Sequence, residues 1–595
     1  MARRRSKWLD SWAERLDRRR GWDKVSKPIG LLALKGIQSR LRRENLYDTD
    51  SIAPVEGSLP SSPPEGALTS RTASGAFNDL EMPGMGSVGT RFGRNVPLEE
   101  TFPDPEDKLL TPDPRVVSRE LLTRETFQPA TTLNLLAAAW IQFEVHDWFS
   151  HGQGDWDTAY RLPLQKGDPW PEDPMRIPRA VRDPSWNTEG TPPRYVTGDS
   201  HWWDGSQIYG SDPKFTAAIR TGEGGRLRVG PDGLPPAELD AQVDLTGVAG
   251  NFWVGLALLH GLFMMEHNAI ADMLRGEHAD WTDEQLFEKA RLINAALMAK
   301  IHTVEWTPAI IAHPTSELAM RVDWWGLVGE RAIRRFGRFT KWDVLTGVPG
   351  SKKNHHHVPY TLTEEFTAVY RLHPLIPDDF TFRSPADDHV VAELPFPDLT
   401  VLHVRERMAE LTPAGGFYTF GVSNPGAIQL HNFPRFLQQF ERADGTTVDL
   451  AAMDVLRTRE RGVPRYNRFR ELFHKNPVRT FEELTPNTRW QEELRSVYGS
   501  VDDVDLMIGM YAEQPPKGFG FSDTAFRVFA LMAPRRLKSD RFFTTDYTPK
   551  MYTPSGLKWI DDNSMVTLLR RHFPELRPSL EGLKNGFVPW KRVQA

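Results

Sequence analysis

The sequence predicts a mainly helical, all-α chain with very little β-structure. Apolar residues recur at three- and four-residue spacing through Phe252–Leu274 and from Asp283 to Thr307, where Pro308 should end the run. Residues 402–410 and 523–537 carry the same period, whereas strict alternation, the mark of a half-buried strand, is rare. No internal repeat or clear split divides the 595 residues, so one large helical domain over 73–595 accounts for the chain better than several average ones.

The elements before that domain differ in composition. Residues 1–43 carry fourteen Lys or Arg against four Asp or Glu. Trp8, Trp12 and Leu16 repeat at four-residue spacing, and Ile29, Leu32 and Leu41 help form a second stripe after Pro28. Residues 1–50 therefore read as basic amphipathic helices suited to an anionic membrane surface. The competing reading is two helices packed on the domain with a solvated basic face. Residues 51–72 read as a Pro/Ser/Gly linker, and 162–195, rich in proline, as a long surface loop. His355, His356 and His357 read as loop residues, because consecutive side chains point different ways on a regular element.

Composition narrows the class. A net charge of −6 argues against a nucleic-acid partner. Zero cysteines exclude a disulfide framework and fit a reducing cytoplasm. There is no run of about 18 apolar residues and no signal-peptide apolar segment, so a cytoplasmic chain, at most peripheral on membranes, is expected, with a monomer favoured.

Three segments carry chemistry. From Leu133 to Phe149 the pattern is helical and puts Gln142 and His146 four apart on one face, with Asp147 about 100° round. A histidine above a haem can act as base toward bound peroxide, with Gln142 hydrogen-bonding the same oxygens. The bland alternative is a satisfied core histidine. In Asp199–Gly210, the alternate residues Ser200, Trp202, Asp204 and Ser206 offer hydroxyl, carbonyl and carboxylate oxygens, and Gly205 permits the turn. With Asp147 they make a five-residue oxygen set for calcium, though a plain Ser/Asp turn fits the bare pattern too. In Glu365–Pro377, Tyr370 and His373 are three apart and would be neighbours on a helix. If His373 ligates a haem iron, the Tyr370 phenol is close enough to be oxidised to a radical that removes hydrogen from a C–H bond.

Together these segments resemble the peroxidase–cyclooxygenase superfamily of haem proteins, and most closely its fatty-acid α-dioxygenases. The closer match is carried by Trp140-Ile-Gln-Phe with His146-Asp-Trp, and by His201-Trp-Trp-Asp-Gly-Ser with Ile208-Tyr-Gly. Further blocks are Leu256–Phe263 with Glu266-His-Asn, Ala299–Thr307, Val358–Tyr370, Phe526–Leu537 and Asp540–Thr545. The resemblance runs from about residue 75 to the C-terminus.

The resemblance implies a haem peroxidase/cyclooxygenase-like fold, one haem b with His373 as proximal ligand and His146 distal, and one calcium. It implies catalysis by Tyr370, His146 and Gln142, with fatty acid, O2 and hydrogen peroxide as reactants. It places His302, Thr307 and Arg527 on the substrate carboxylate. The product would be a 2-hydroperoxy fatty acid, able to lose carbon dioxide and leave an aldehyde one carbon shorter. Val145 stands where mammalian-type relatives carry an ester-forming acid, and Ala249–Phe252 lacks the second acid and a catalytic arginine. A haem held without covalent bonds is therefore expected. Two other classes remain open at this point: a plain haem peroxidase oxidising small reductants, and a haem- and calcium-binding scaffold without turnover.

Overall fold

A computed structural model describes the whole chain except residues 1, 58, 146, 186–189, 238–244, 248–251, 401–402, 443–444 and 594–595, and except the side chains of 2–8. His146, Trp8 and the Ala249–Asn251 stretch thus fall outside the described side chains.

Two N-terminal helices, α1 (Ala2–Arg20) and α2 (Lys27–Glu44), form an antiparallel-type hairpin about Trp22. Trp12 and Leu16 pack half-buried against the main core, and Trp22 is buried with its indole N–H donating to Asp523 at 2.9 Å. Trp12 and Leu16 of the α1 stripe read as membrane-facing therefore turn inward. Apolar side chains gain more from the neighbouring protein surface than from solvent. The described residues of 51–72 are irregular, and Arg71 is buried and ion-paired to Asp540 at 2.9 Å, which docks this end of the segment.

The centre is built from α3 (Leu136–Val145), α4 (Val254–Glu277) and α5 (Asp283–Ile301), each packed on the next. Helix α4 is long and apolar enough to cross a membrane, but 89% of its apolar window is buried inside the protein. It is a core helix. A capping box of Thr282 and Gln285 starts α5. The helical path does not stop at Pro308. It widens into a π-turn, His302–Trp306, and resumes as the short turn Thr307–Ile310, whose first positions need no N–H from proline.

Helix α6 (Pro314–Trp325) follows, then α7 (Glu364–Val369), α8 (Val404–Leu411), α9 (Leu450–Glu460) and α10 (Asp523–Ser539). Pro534 sits inside α10, where its missing N–H frees the carbonyl of Ala530. The Gln38 amide of α2 donates to that carbonyl at 3.1 Å, so the break becomes a docking point. Among the described residues, apart from isolated bridges, the strands form three two-stranded antiparallel pairs: β1 (Asp155–Leu162) with β2 (Met175–Arg179), β3 (Asp379–Arg383) with β4 (Val390–Pro395), and β5 (Phe440–Glu441) with β6 (Thr447–Val448). The first pair corrects the reading of 162–195 as a loop throughout. Met175 and Ile177 alternate inward with Tyr160 and Leu162, closing a small satellite core with Leu109 and Leu456.

Candidate functional site

Tyr370 and His373 do not share a helix. Helix α7, started by Thr363 accepting from the Phe366 N–H, ends at Val369, and Tyr370 is its C-cap. His373 opens a separate 3₁₀ turn with Pro374. Proline has no N–H for the carbonyl of Tyr370, and its ring disfavours α-geometry at His373. Tyr370 is buried, its ring packed on Phe366 at 4.5 Å. Burial pushes its phenol well above the usual range, opposed only by the charge of Arg536. It is therefore a neutral O–H at rest.

The His373 Nδ1 faces Oδ2 of Asp454 at 2.9 Å, an ion-pair distance, although off the line of an ideal hydrogen bond. Asp454, on α9, is buried. Desolvation raises its pKa, but Arg371 and His373 outweigh that and hold it below the ordinary carboxylate range. Nδ1 is buried while the side chain keeps 26% exposure, so the open edge of the ring is the one bearing Nε2. A histidine with one nitrogen held by a carboxylate and the other available has the donor chemistry of an iron ligand. Gln142 of α3 accepts from the Trp253 indole at 2.9 Å.

The predicted calcium residues fit a cation. Asp147 and Asp204 are both buried, and Ser206 joins them: its hydroxyl donates to Oδ2 of Asp147 and its N–H to Oδ1 of Asp204 at 3.1 Å. Oδ1 of Asp147 and Oδ2 of Asp204 have no hydrogen-bond partner, and Arg291 stands off at 3.9 Å. Burial, and then the charges of Asp199 and Asp204, raise the Asp147 pKa well above normal. Ser200 and Trp202 lie in the same loop, the Trp202 N–H donating to the Ser200 hydroxyl at 3.1 Å. Among the described residues no three His, Cys, Asp or Glu side chains form a metal cluster, so the set depends on hydroxyl and carbonyl oxygens. Two buried carboxylates with idle oxygens are costly without a positive charge between them.

His302 and Thr307 sit at the two ends of the π-turn and line one narrow pocket of about 20 Å³, with Met320, Asp323, Phe529 and Ala533. The Trp140 indole donates to Nδ1 of His302 at 3.2 Å, so a neutral ring carries its proton on Nε2. Burial, aided by the Arg536 charge, lowers its pKa to about 3. The buried hydroxyl of Thr307 has no partner.

Arg527 is elsewhere. Its guanidinium pairs with Asp17 of α1 and with Asp523 at 3.2 Å; neither it nor Arg536 is among the residues lining this pocket. The reason is helical geometry: residues advance about 100° each, so Arg527 faces away from Phe529. Arg536 does not. It falls on the stripe of Phe529 and Ala533, at i+7 and i+3. Its guanidinium lies 3.5 Å over Trp148 and 4.9 Å over Trp203. Nη2 reaches the His201 carbonyl at 3.4 Å, while Nε and Nη1 are buried without partners. Its charge is felt at both His302 and Tyr370. Arg536 lies outside the residues predicted from the sequence, although its spacing from Phe529 marks the shared face. Asp454 lies outside them too, and no local pattern marks it.

Residues 70–581 match the family model for animal haem peroxidase. The alpha-dioxygenase PIOX of Oryza sativa subsp. japonica is 36% identical over 592 residues, covering 96% of this chain and 94% of that protein. Alpha-dioxygenase 1 of Arabidopsis thaliana is 36% identical, covering 87% and 83%. The crystal structure of Oryza sativa fatty acid alpha-dioxygenase superposes with a TM-score of 0.90 at 34% identity, covering 98% of this chain and 97% of that one. A tyrosine-to-phenylalanine variant of it, solved with palmitic acid, superposes equally well.

Proposed function

The chain belongs to the animal haem peroxidase family and, within it, to the alpha-dioxygenases; from that premise we infer that it is a fatty-acid α-dioxygenase whose substrate carboxylate is anchored by Arg536, His302 and Thr307. The observation that carries the assignment is Arg536: a buried guanidinium with two idle nitrogens, electrostatically coupled to both His302 and Tyr370. A carboxylate pairs such a group bidentately. The Nε2–H of His302 and the hydroxyl of Thr307 supply two more donors, and Phe529 and Met320 an apolar wall. The reaction requires that an acid held there present the carbon next to its carboxyl to Tyr370.

Haem, when bound, supplies the iron that consumes peroxide and the oxidising power that turns Tyr370 into a radical. Nε2 of His373 would hold the iron, with Asp454 fixing the ring. We assign His146 the peroxide proton and Gln142 a hydrogen bond to the peroxide oxygens. Tyr370 then takes one hydrogen atom from the α-carbon, breaking the C–H bond and remaking the phenol O–H. O2 adds to the carbon radical, and the peroxyl radical recovers hydrogen from Tyr370, which regenerates the tyrosyl radical. The net change is fatty acid plus O2 to 2-hydroperoxy fatty acid. Asp147, Asp204, Ser200, Ser206 and the Trp202 carbonyl are proposed to hold one calcium. With Val145 apolar before His146, the haem is proposed to be non-covalent.

The test is Tyr370→Phe in the haem-loaded protein. It should keep haem and peroxide consumption yet lose O2 uptake with saturated fatty acids, as read by oxygen electrode and by mass spectrometry of the product. O2 uptake at the parent rate would remove the radical role. Oxidation of phenols alone, with no fatty-acid turnover by the parent, would favour a plain peroxidase.

A further inference from the structure

Exposed aromatic residues are concentrated in one place. The segment after α6, residues 326–342, holds Leu327, Phe336, Phe339 and Trp342 at 57%, 69%, 62% and 59% exposure. Single exposed apolar residues are ordinary, but a cluster calls for a partner. These side chains are held out by a rigid base. The Arg338 guanidinium donates to the carbonyls of Trp324 and Thr346, and the Leu327 N–H to the carbonyl of Val344 at 3.0 Å.

The charge among them is cationic. Glu330, the acid of the segment, is engaged by Arg321 and Arg334. Arg331, Arg335 and Lys341 are exposed, with no carboxylate partner among the described residues. Arg335 leans only on the Phe336 ring, at 5.4 Å. Phe and Trp tips set among unpaired Arg and Lys suit the interface of an anionic bilayer, where the rings enter the headgroup layer and the cations meet lipid phosphates. A protein partner would select against such a dense set of unpaired charges at its core.

Position agrees. Helix α6 supplies Met320 and Asp323 to the wall of the pocket holding His302 and Thr307, and runs directly into this segment. Helix α2, packed on α6, exposes Ile29 and Leu32 together with Lys27 and Lys35. We propose that residues 326–342, flanked by α2, dock the protein on anionic lipid bilayers and so bring the pocket to membrane-dissolved fatty acid. The proposal rests on the fatty-acid reading above only for its purpose; the docking itself stands on exposure and charge.

The test uses the full-length, haem-loaded protein with neutral phosphatidylcholine vesicles and vesicles containing about one third phosphatidylserine. The parent should sediment with the anionic vesicles and be released by high salt. Phe336→Ser/Phe339→Ser/Trp342→Ser, and separately Arg331→Glu/Arg335→Glu/Lys341→Glu, should each cut that partition roughly tenfold. Both variants should oxidise dispersed fatty acid within about twofold of the parent but lose about tenfold on fatty acid delivered in vesicles. A parent that turns over dispersed fatty acid yet ignores anionic vesicles overturns the docking and spares the function. Unaltered partition of both variants also overturns it. So does conversion of a dimer to a monomer by the aromatic variant without any vesicle binding, which would make this face a contact between copies. A parent that binds vesicles through these residues but oxidises no fatty acid leaves the docking standing and removes the proposed function.

Discussion

Arg527 and Arg536 leave the same helix, Asp523–Ser539, on opposite faces: one closes an ion pair with Asp17 of the N-terminal hairpin, the other lies unpaired between Trp148 and Trp203. Their substitutions should therefore separate. Arg536→Ala should raise KM for free fatty acids and cost on the order of a hundredfold in kcat/KM, since a misplaced carboxylate takes the α-carbon away from Tyr370. Arg527→Ala should leave KM near the parent value and lower stability by roughly 2 kcal/mol, because it removes charged hydrogen bonds to Asp17 and Asp523 while Lys475 and the Trp22 indole still hold Asp523. Steady-state kinetics and thermal melts on both variants decide this, and the opposite pattern would return the anchor to Arg527.

Asp454 holds the far nitrogen of His373 at 2.9 Å. Groups in that position orient a metal-ligating histidine, and losing one typically costs 10–100-fold in affinity, here taken as roughly thirtyfold. Asp454→Ala should weaken haem binding by about that factor, whereas Asp454→Asn, which can still accept from Nδ1, should stay within a fewfold. Haem titration of the apoprotein gives the numbers. Equal haem affinity in the Ala variant would show that Asp454 serves Arg371 rather than the ligand.

The carboxylates of Asp147 and Asp204 share Ser206 and retain idle oxygens. Chelation should release one calcium and lower the melting temperature. Burial and the neighbouring acids favour protonated Asp147, so protons compete with the ion and retention should weaken as pH falls. Without the ion, a raised carboxylate pKa costs folded stability as pH rises above the unfolded value. The chelator effect should accordingly grow from acid toward neutral pH. A chelator effect that is flat with pH, or absent from metal analysis, would count against the site.

Glu144 is buried beside the same helix end. It accepts from the Trp203 indole at 2.9 Å, its other oxygen has no partner, and burial raises its pKa from 4.5 to about 8. The folded protein thus keeps a proton that the unfolded chain releases, so this group's contribution to stability falls as pH rises from 4.5 to about 8. Glu144→Gln cannot ionise and still accepts from Trp203. Its stability relative to the parent should improve across that window by a few kcal/mol, on the order of 1.4 per pH unit at most, and then level off. A stability difference independent of pH would mean that Glu144 is ionised and balanced by Arg536.

The sequence by itself determined the helical class and the family, because these depend on residue identity and spacing along short stretches. The proposed roles of Gln142, Tyr370 and His373 rest on their motif blocks, and the periodicity that predicted α4 and α5 comes from burying one face or, for α4, nearly all faces of a helix. Tertiary structure decided what spacing leaves open. The break at Pro374 put Tyr370 and His373 on separate elements, and α9 brought Asp454 to His373 from a distant stretch of sequence. Docking of α1 through Asp17 consumed the charge of Arg527 and turned Trp12 and Leu16 inward. The same packing left Arg536 without a carboxylate in ion-pair contact among the described residues and left the rings of 336–342 in solvent. A side chain's charge and shape belong to the sequence, but whether it is satisfied or idle depends on the neighbours that the fold supplies.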